Sequence, residues 1–441
     1  MVISMSKNDK KAATAAIGEK GLFDARQLGM PKMLILGIQH MFAMFGATVL
    51  VPALTGLSVS TTLLFAGLGT LLFHFLAKGR VPAFLGSSFA YLAGYWAIAP
   101  NGETDLLPYA CFGVACSGLL YLILAALIKA FGPGKVMKYF PPIVTGPIII
   151  VIGLRLSGSA INSAFYWNGE FSMKAVLVTV VVLATVICIS VFAKGIYNLM
   201  PILFAIIVGY LVCIPMGFID MTPMREAHAL SFLDQNIMAQ VLCMPTFQAD
   251  AILAIAPIAL VTLIEHVGDI TTNSAVVGKN FMIDPGIHRT ILGDGIATTV
   301  AGLLGGPANT TYGENTGVLA VTKNYDPAVI RIAAVFAIVL GLFGKIGGMI
   351  TSIPGPVTGG ISIVLYGMIS SVGVRILINS RLNFGNSRNL MIAALIFVLG
   401  IGCDSIPVTG TVTISGLALA AVVGMILAAI LPIGKDDVIE E

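Results

Sequence analysis

The sequence predicts an all-α polytopic membrane protein with 14 transmembrane segments in two inverted repeats of seven. Its composition, the recurrence of apolar runs and a pair of polar breaks lead to this prediction. Of the 441 residues, 57% are hydrophobic and 10% are charged, whereas soluble domains carry about 25% charged residues. Apolar runs of roughly 18–22 residues recur along the chain, which favours membrane helices over a β-barrel.

Hydropathy and helix breakers divide the chain into about 14 apolar spans. Spans three, nine and ten are short or interrupted. The approximate spans are residues 33–52, 60–77, 82–98, 109–130, 141–156, 174–193, 199–217, 251–271, 290–304, 309–322, 328–349, 354–373, 388–402 and 412–432.

The positive charges support this count. All but four of the 24 Lys and Arg residues fall in loops that 14 spans place inside the cell, as the positive-inside rule requires. The exceptions are Arg155, Lys174, Arg225 and Lys345. Both termini are therefore predicted to lie in the cytoplasm, with the protein in the cell membrane.

The two halves of the chain resemble each other weakly. Because seven spans per half is an odd number, a duplication implies halves inserted in opposite orientations. Three matches in the same order, at offsets of 226, 223 and 213 residues, join 39–40 to 265–266, 87–90 to 310–313 and 144–146 to 357–359.

Two of the matching stretches are polar breaks within apolar sequence. Residues 309–317 read N-T-T-Y-G-E-N-T-G, and residues 86–90 read G-S-S-F-A. Backbone that leaves the helix at membrane depth requires shielding by protein or a cavity. Paired breaks at corresponding positions point to a central binding site of a transporter, whereas the alternative is a tight loop between helices at the membrane surface.

Four acids lie in apolar sequence, namely Glu265, Asp269, Asp294 and Glu314. Glu265 and Asp269 are four residues apart and share one helix face. Burial in apolar surroundings favours the neutral, protonated form of a carboxylate, which suits proton-coupled transport. The alternative is that inter-helix hydrogen bonds neutralise these acids without a transport role. His40 and His266 also lie in apolar spans, and we expect them to be packing histidines.

Several functions are not indicated. No Walker A, G-x-S-x-G or zinc pattern occurs, so we expect no catalytic residues, no cofactor and no metal. The six cysteines are scattered and match neither a metal site nor a disulfide framework. The net charge is only +3 and no basic tract interleaves with aromatic residues, so nucleic acid is not an expected partner.

The chain resembles the nucleobase–ascorbate transporter family, also called nucleobase:cation symporter-2, and within it the bacterial uracil permeases. The resemblance extends from about residue 33 to residue 432. It is carried by Q-H-M-F-A-M-F-G-A-T-V-L-V-P at 39–52, P-A-F-L-G-S-S-F-A at 82–90, I-E-H-V-G-D at 264–269 and N-T-T-Y-G-E-N-T-G at 309–317.

The resemblance implies a core domain, a gate domain, an elevator-like motion between them and a homodimer. It also implies that segments 3 and 10 are broken by short antiparallel strands. The implied boundaries are 1–31 for a cytoplasmic tail, 32–138 and 251–350 for the core, 139–218 and 351–434 for the gate, 219–250 for an extracellular loop and 435–441 for a second cytoplasmic tail.

The same resemblance implies a proton symporter that imports a nucleobase, most simply uracil. Substrate-binding residues would be Glu265, Glu314, Phe89, Gly313, Tyr312 and Ala47, and proton coupling would involve Asp269, Glu314, Asp294 and Tyr366. Some uracil carriers have histidine and asparagine at the positions of Asp269 and Asp294, whereas purine carriers have carboxylates there. Purine carriers usually have glutamine at the position of Glu314. Xanthine or urate is therefore the alternative substrate, and sodium the alternative coupling ion.

Two other classes of function remain open. An anion carrier or channel of the same architecture would require arginine, lysine or bare helix N-termini at the breaks, and the two glutamates argue against it. A membrane scaffold or sensor would bind a base without transporting it.

Overall fold

The computed structural model describes residues 21–99, 102–132, 141–194, 197, 200–231, 247–256, 258–403, 405–407 and 413–432. This part of the chain is mostly helical. Its elements are α1 (Met30–Thr55), α2 (Val59–Leu76), β1 (Leu85–Ser87), α3 (Leu92–Ile98), α4 (Leu107–Phe131), α5 (Pro142–Phe165), β2 (Tyr166–Trp167), β3 (Glu170–Phe171), α6 (Met173–Phe192), α7 (Pro201–Met216), α8 (Thr222–Glu226), α9 (Ala249–Ile255), α10 (Ile258–Val277), α11 (Ile287–Leu303), β4 (Asn309–Thr311), α12 (Gly313–Thr322), α13 (Pro327–Leu342), α14 (Gly344–Thr351), α15 (Gly355–Asn379), α16 (Ser387–Gly402), β5 (Ser405–Pro407), β6 (Thr413–Ser415) and α17 (Gly416–Ile430).

The helices agree with a membrane-spanning fold. Among the described residues, seven helices are long and apolar enough to cross a membrane, or eight if α13 and α14 form one span. Each of the 14 predicted spans contains a helix, and the number of spans that cross the bilayer stays a prediction.

Span eleven differs from the expectation of an uninterrupted segment. The axes of α13 and α14 are bent by 83°. Phe343 between them has extended backbone angles, and the Gly344 N–H donates to the Ala229 carbonyl at 3.2 Å instead of continuing the helix. Glycine has low helix propensity, so Gly344, Gly347 and Gly348 facilitate the break.

The described helices pack in two groups. Helix α5 lies along α15, with α6, α7, α16 and α17 around this pair, whereas α11 packs against α2 and α4, and α13 against α1 and α2. Glycines permit close approach in both groups. Gly118 and Gly295 face each other between α4 and α11, and Gly146 and Gly373 do so between α5 and α15.

The two polar breaks pair with each other. Strands β1 and β4 are antiparallel, and the partners are Leu85 with Thr311, Gly86 with Thr310 and Ser87 with Asn309. Flanking bonds extend the pair, because Ser88 N–H donates to the Ala308 carbonyl and Tyr312 N–H to the Phe84 carbonyl, both at 2.9 Å. The pairing satisfies backbone groups that would otherwise be costly to bury in an apolar environment.

A second contact holds this strand pair. The Tyr312 ring covers Gly86, where an added Cβ would collide with the ring and lie 2.7 Å from Thr48 Oγ1. The Tyr312 hydroxyl donates to the Ser87 carbonyl at 2.8 Å, and Ser87 Oγ donates to the Thr48 carbonyl in α1 at 2.9 Å. Glycine at position 86 therefore allows α1, β1 and the end of β4 to meet.

The described residues before α1 pack on the rest of the protein. Leu22 N–H donates to the Lys323 carbonyl and Ala25 N–H to Asp326 Oδ2, both at 2.8 Å. Asp326 also caps α13, since its Oδ1 accepts from Ala328 N–H at 2.8 Å. Residues 1–20 of the predicted N-terminal tail, 232–246 of the predicted extracellular loop and the predicted tail 435–441 lie outside the described residues.

Replacing the glycine under the tyrosine ring tests this packing. We expect Gly86→Ala to destabilise the protein by about 1–3 kcal/mol, because the added methyl group overpacks a closed contact. The measurement is the thermal unfolding temperature of the purified protein in detergent. Gly158→Ala in α5 is the matched control, since nothing lies within 4 Å of a Cβ added there. Equal unfolding temperatures for the two variants would contradict the packing described.

Candidate functional site

The candidate site lies where α10 passes the paired breaks. Glu265 and Asp269 are one turn apart on α10 and both are half-buried. Helix α12 begins directly after β4, so that Glu314 stands in its first turn. Asn273 ties α10 to the second break and to the segment that precedes β1, because its amide donates to Thr316 Oγ1 at 3.3 Å and to the Pro82 carbonyl at 3.0 Å.

The structure brings the four predicted acids together. Glu314 and Asp294 both lie within electrostatic range of Glu265 and of Asp269. A Cβ at Gly313 would be 3.6 Å from Asp269 Oδ1, so the start of α12 faces this carboxylate. Glu314 is half-buried, and the N-terminal end of α12 favours a negative charge at its position.

Asp269 has a defined hydrogen-bond donor. Thr311 Oγ1, on β4, donates to Asp269 Oδ2 at 3.1 Å. The same hydroxyl oxygen is 3.5 Å from His266 Nδ1. Thr311 therefore connects Asp269 with the strand pair and with His266, which lies three residues earlier on the same side of α10.

Asp294 is placed differently from the other acids. Its side chain and that of His266 are both fully buried, and His266 Nδ1 is 2.7 Å from Asp294 Oδ2. His266 Nε2 is 2.9 Å from Thr290 Oγ1. Asp294 thus faces a histidine between α10 and α11, whereas Glu265, Asp269 and Glu314 are accessible.

A helical segment begins directly after each strand of the pair. The 3-10 turn Phe89–Tyr91 follows β1, and α12 starts at Gly313 after β4. The first N–H groups of a helix have no acceptor within that helix. Phe89 and Gly313 therefore stand where backbone N–H groups can bind the carbonyl oxygens of a ligand.

The remaining predicted residues surround these groups. The rings of Phe89 and Tyr366 meet edge to face with centroids 6.2 Å apart, so that α15 of the second helix group approaches the first break. Ala47 is fully buried in α1, next to Thr48. Tyr312 is 5% exposed, and its hydroxyl and its N–H are both bonded within the protein.

Both histidines are fully buried and have hydrogen-bond partners on neighbouring elements. His40 is fully buried, and the side-chain amide of Asn315 donates to its carbonyl at 3.0 Å, which ties α1 to α12. His266 contacts Asp294, Thr290 and Thr311. No sequence signal marks Thr290 or Thr311 as partners of His266, because hydroxyl residues in helices and strands are common. In the described part of the chain, no group of three or more His, Cys, Asp or Glu is arranged to hold a metal.

Comparison with known families agrees with the motifs. The sequence model of the Permease family, Xan_ur_permease, matches residues 31–409. The chain belongs to the Permease family. As a permease it is a multi-pass membrane transport protein and not an enzyme.

Curated relatives of this permease match it over nearly their whole length. The uracil permease of Bacillus caldolyticus is 46% identical over 399 residues, which covers 90% of this chain and 91% of that protein. The uracil permease of Bacillus subtilis (strain 168) is 42% identical and covers 91% and 92%, and that of Escherichia coli (strain K12) is 39% identical and covers 90% of each. These matches confirm the resemblance that the four motifs indicate.

Solved structures share the fold of this permease at low sequence identity. The transmembrane domain of the cyanobacterial bicarbonate transporter BicA superposes with a TM-score of 0.62 at 16% identity, covering 92% of this chain and 98% of that domain. The structure of SLC26A9 gives a TM-score of 0.65 at 10% identity, covering 97% and 72%. At such identities the likeness concerns the fold alone.

Proposed function

We propose that this permease is a proton-coupled symporter that imports uracil. The observation that carries the proposal is the placement of the acids beside the paired strands. Asp269 accepts a hydrogen bond from Thr311 of β4, Glu265 lies one turn before Asp269 on α10, and Glu314 lies in the first turn of the helix that follows β4. The curated relatives whose printed name is uracil permease support the substrate. The two glutamates at the breaks argue against an anion carrier.

The chemistry of uracil fits these groups. Its ring carries N–H donors and carbonyl acceptors on its edge, and carboxylates accept from N–H groups. In the proposed complex, Glu265 and Glu314 accept from the ring, and the backbone N–H groups at Phe89 and Gly313 donate to its carbonyls. Ala47 and Tyr312 form the wall behind these groups, with Tyr312 held in place by Ser87.

The proton is proposed to bind at Asp269, at Glu314 or at both. Asp269 lies beside the substrate acids and is accessible, and neighbouring carboxylates favour the protonated form of each other. The resemblance also implies a part in proton coupling for Asp294 and Tyr366. The Tyr366 ring contacts the Phe89 ring across the two helix groups. This contact would change when one group moves against the other.

The proposed transport cycle moves one helix group against the other. The group around α2, α4, α11 and α13 corresponds to the proposed core, at 32–138 and 251–350, and the group around α5 and α15 corresponds to the gate, at 139–218 and 351–434. We propose 14 segments in two inverted repeats, cytoplasmic termini and a homodimer. The dense packing within each group supports motion of the groups as units in an elevator-like manner.

A purine such as xanthine or urate is the second candidate substrate. The carboxylates at Asp269 and Asp294 favour it, because the resemblance associates them with purine carriers. Glu314 favours uracil, since purine carriers usually have glutamine there.

Uptake into proteoliposomes tests the proposed function. Labelled uracil should accumulate when the outside is more acidic than the inside, and a protonophore should collapse this accumulation. Unlabelled uracil should compete, whereas xanthine and urate should compete weakly. Uptake that ignores the proton gradient and follows a sodium gradient would contradict proton coupling, and preferential competition by xanthine would identify a purine carrier.

Removing the proposed ring acceptor tests the site. We expect Glu265→Ala to weaken uracil binding by on the order of 100-fold, because a ring N–H would be buried without its acceptor. Equilibrium binding of uracil to the purified protein is the measurement. Glu226→Ala, at an exposed position in α8, is the control that should bind as the unaltered protein does. Unaltered binding by Glu265→Ala would remove this residue from the site.

The neighbouring acid should have a separable role. We expect Asp269→Asn to retain uracil exchange across the membrane but to weaken accumulation driven by a proton gradient, since asparagine cannot release a proton. The two assays are compared on the same proteoliposomes. Full gradient-driven accumulation in this variant would show that Asp269 does not carry the proton.

A further inference from the structure

The buried side chain of His266 lies between two acids of different exposure. On one side, its Nδ1 is 2.7 Å from the fully buried Asp294 Oδ2. On the other side, the same nitrogen is 3.5 Å from Thr311 Oγ1, which donates to the half-buried Asp269 at 3.1 Å. The Phe73 ring meets the imidazole edge to face with centroids 6.4 Å apart. The ring of His266 is therefore held on several sides.

The hydroxyl hydrogens restrict how this ring can bond. Thr290 Oγ1 donates its single hydrogen to the Ile287 carbonyl at 3.0 Å, so that it can only accept from His266 Nε2 at 2.9 Å. Thr311 directs its hydrogen to Asp269, and so its oxygen can only accept on the side of His266. Nε2 therefore carries a hydrogen, and Nδ1 shares one proton with Asp294.

This sharing determines the charge of the pair. With the proton on Nδ1, the pair is an imidazolium and a carboxylate. With the proton on Oδ2, it is a neutral imidazole and a carboxylic acid. Both arrangements have zero net charge, which suits side chains that are fully buried. Removal of the shared proton would leave a net negative charge on the buried pair, and the neutral ring would lose one of its two hydrogen bonds.

We propose, on the basis of the proposed function, that His266 is a positioning residue for Asp269 and that Asp294 holds His266 instead of carrying the transported proton. His266 acts through Thr311. Because Thr311 is on β4, the hydrogen bond to Asp269 forms only while the strand pair lies against α10. The acid that binds the proton is thus linked to the strand that positions the substrate site.

The groups that face Asp269 are few in the described residues. Glu265 and His266 approach from α10 itself, Glu314 from α12 and Asp294 from α11, and the Thr311 hydroxyl approaches from β4. The three acids oppose a charge on Asp269, whereas the hydroxyl favours it. Loss of the hydroxyl should therefore let Asp269 keep its proton to higher pH.

The test compares gradient-driven uracil uptake with uracil exchange at a series of external pH values. Thr311→Val should shift the alkaline limb of the uptake profile to higher pH by roughly one unit, whereas Thr311→Ser should leave it in place. His266→Gln should shift it in the same direction. Since His266 acts through Thr311, the double variant should show no larger shift than Thr311→Val alone.

The two substitutions of Asp294 separate the possible roles of this acid. Asp294→Asn can still donate a hydrogen bond to Nδ1, and it should keep gradient-driven accumulation and the pH profile within twofold of the unaltered protein. Asp294→Ala should shift the profile as His266→Gln does. Loss of accumulation in Asp294→Asn with exchange intact would overturn the proposal and assign the transported proton to Asp294. The proposal would also be overturned if Thr311→Val left the pH profile of uptake unshifted. A larger shift in the double variant Thr311→Val with His266→Gln than in Thr311→Val alone would overturn it as well.

Failure of the proposed function gives a different result. If the unaltered protein does not respond to a proton gradient, proton symport is excluded. The positioning role is then tested by the pH dependence of equilibrium uracil binding. Thr311→Val must still shift that dependence while Thr311→Ser does not, and equal profiles for both would overturn the positioning role.

Discussion

The pairing of β1 with β4 is the constraint on which the rest of the structure depends. Each break interrupts an apolar segment and leaves backbone groups without helical partners, a costly state in an apolar environment. Pairing of β1 with β4 satisfies these backbone groups. A helical segment then begins after each strand, at Phe89 and at Gly313. The same interaction that makes the interruption tolerable thus exposes the donors from which a polar site can be built.

The four acids near the β1–β4 strand pair have different environments. Asp294 is fully enclosed and paired with His266, whereas Glu265, Asp269 and Glu314 are half-buried. In our proposal the enclosed Asp294 has a structural role, whereas the half-buried acids exchange a ligand or a proton. The proposal thus gives different roles to residues that look equivalent in sequence.

Much of the site could be predicted because its signals are local. A polar stretch such as 309–317 and acids such as Glu265 stand out in apolar sequence. The links among His266, Thr290 and Thr311 could not be predicted, because they depend on which faces of α10, α11 and β4 meet. The bend at Phe343 has no local sequence signal either, since a tertiary hydrogen bond from Gly344 to Ala229 stabilises it. Hydropathy detects neither kind of contact.

A structure of the protein with uracil bound would test the central claim most directly. The account predicts the ring between the carboxylates of Glu265 and Glu314, at hydrogen-bonding distances of about 2.7–3.2 Å, with its carbonyls toward Phe89 and Gly313. Uracil bound without contact to either glutamate would contradict it. One such location is the cavity of about 610 Å³ whose lining includes Arg80 and Lys279.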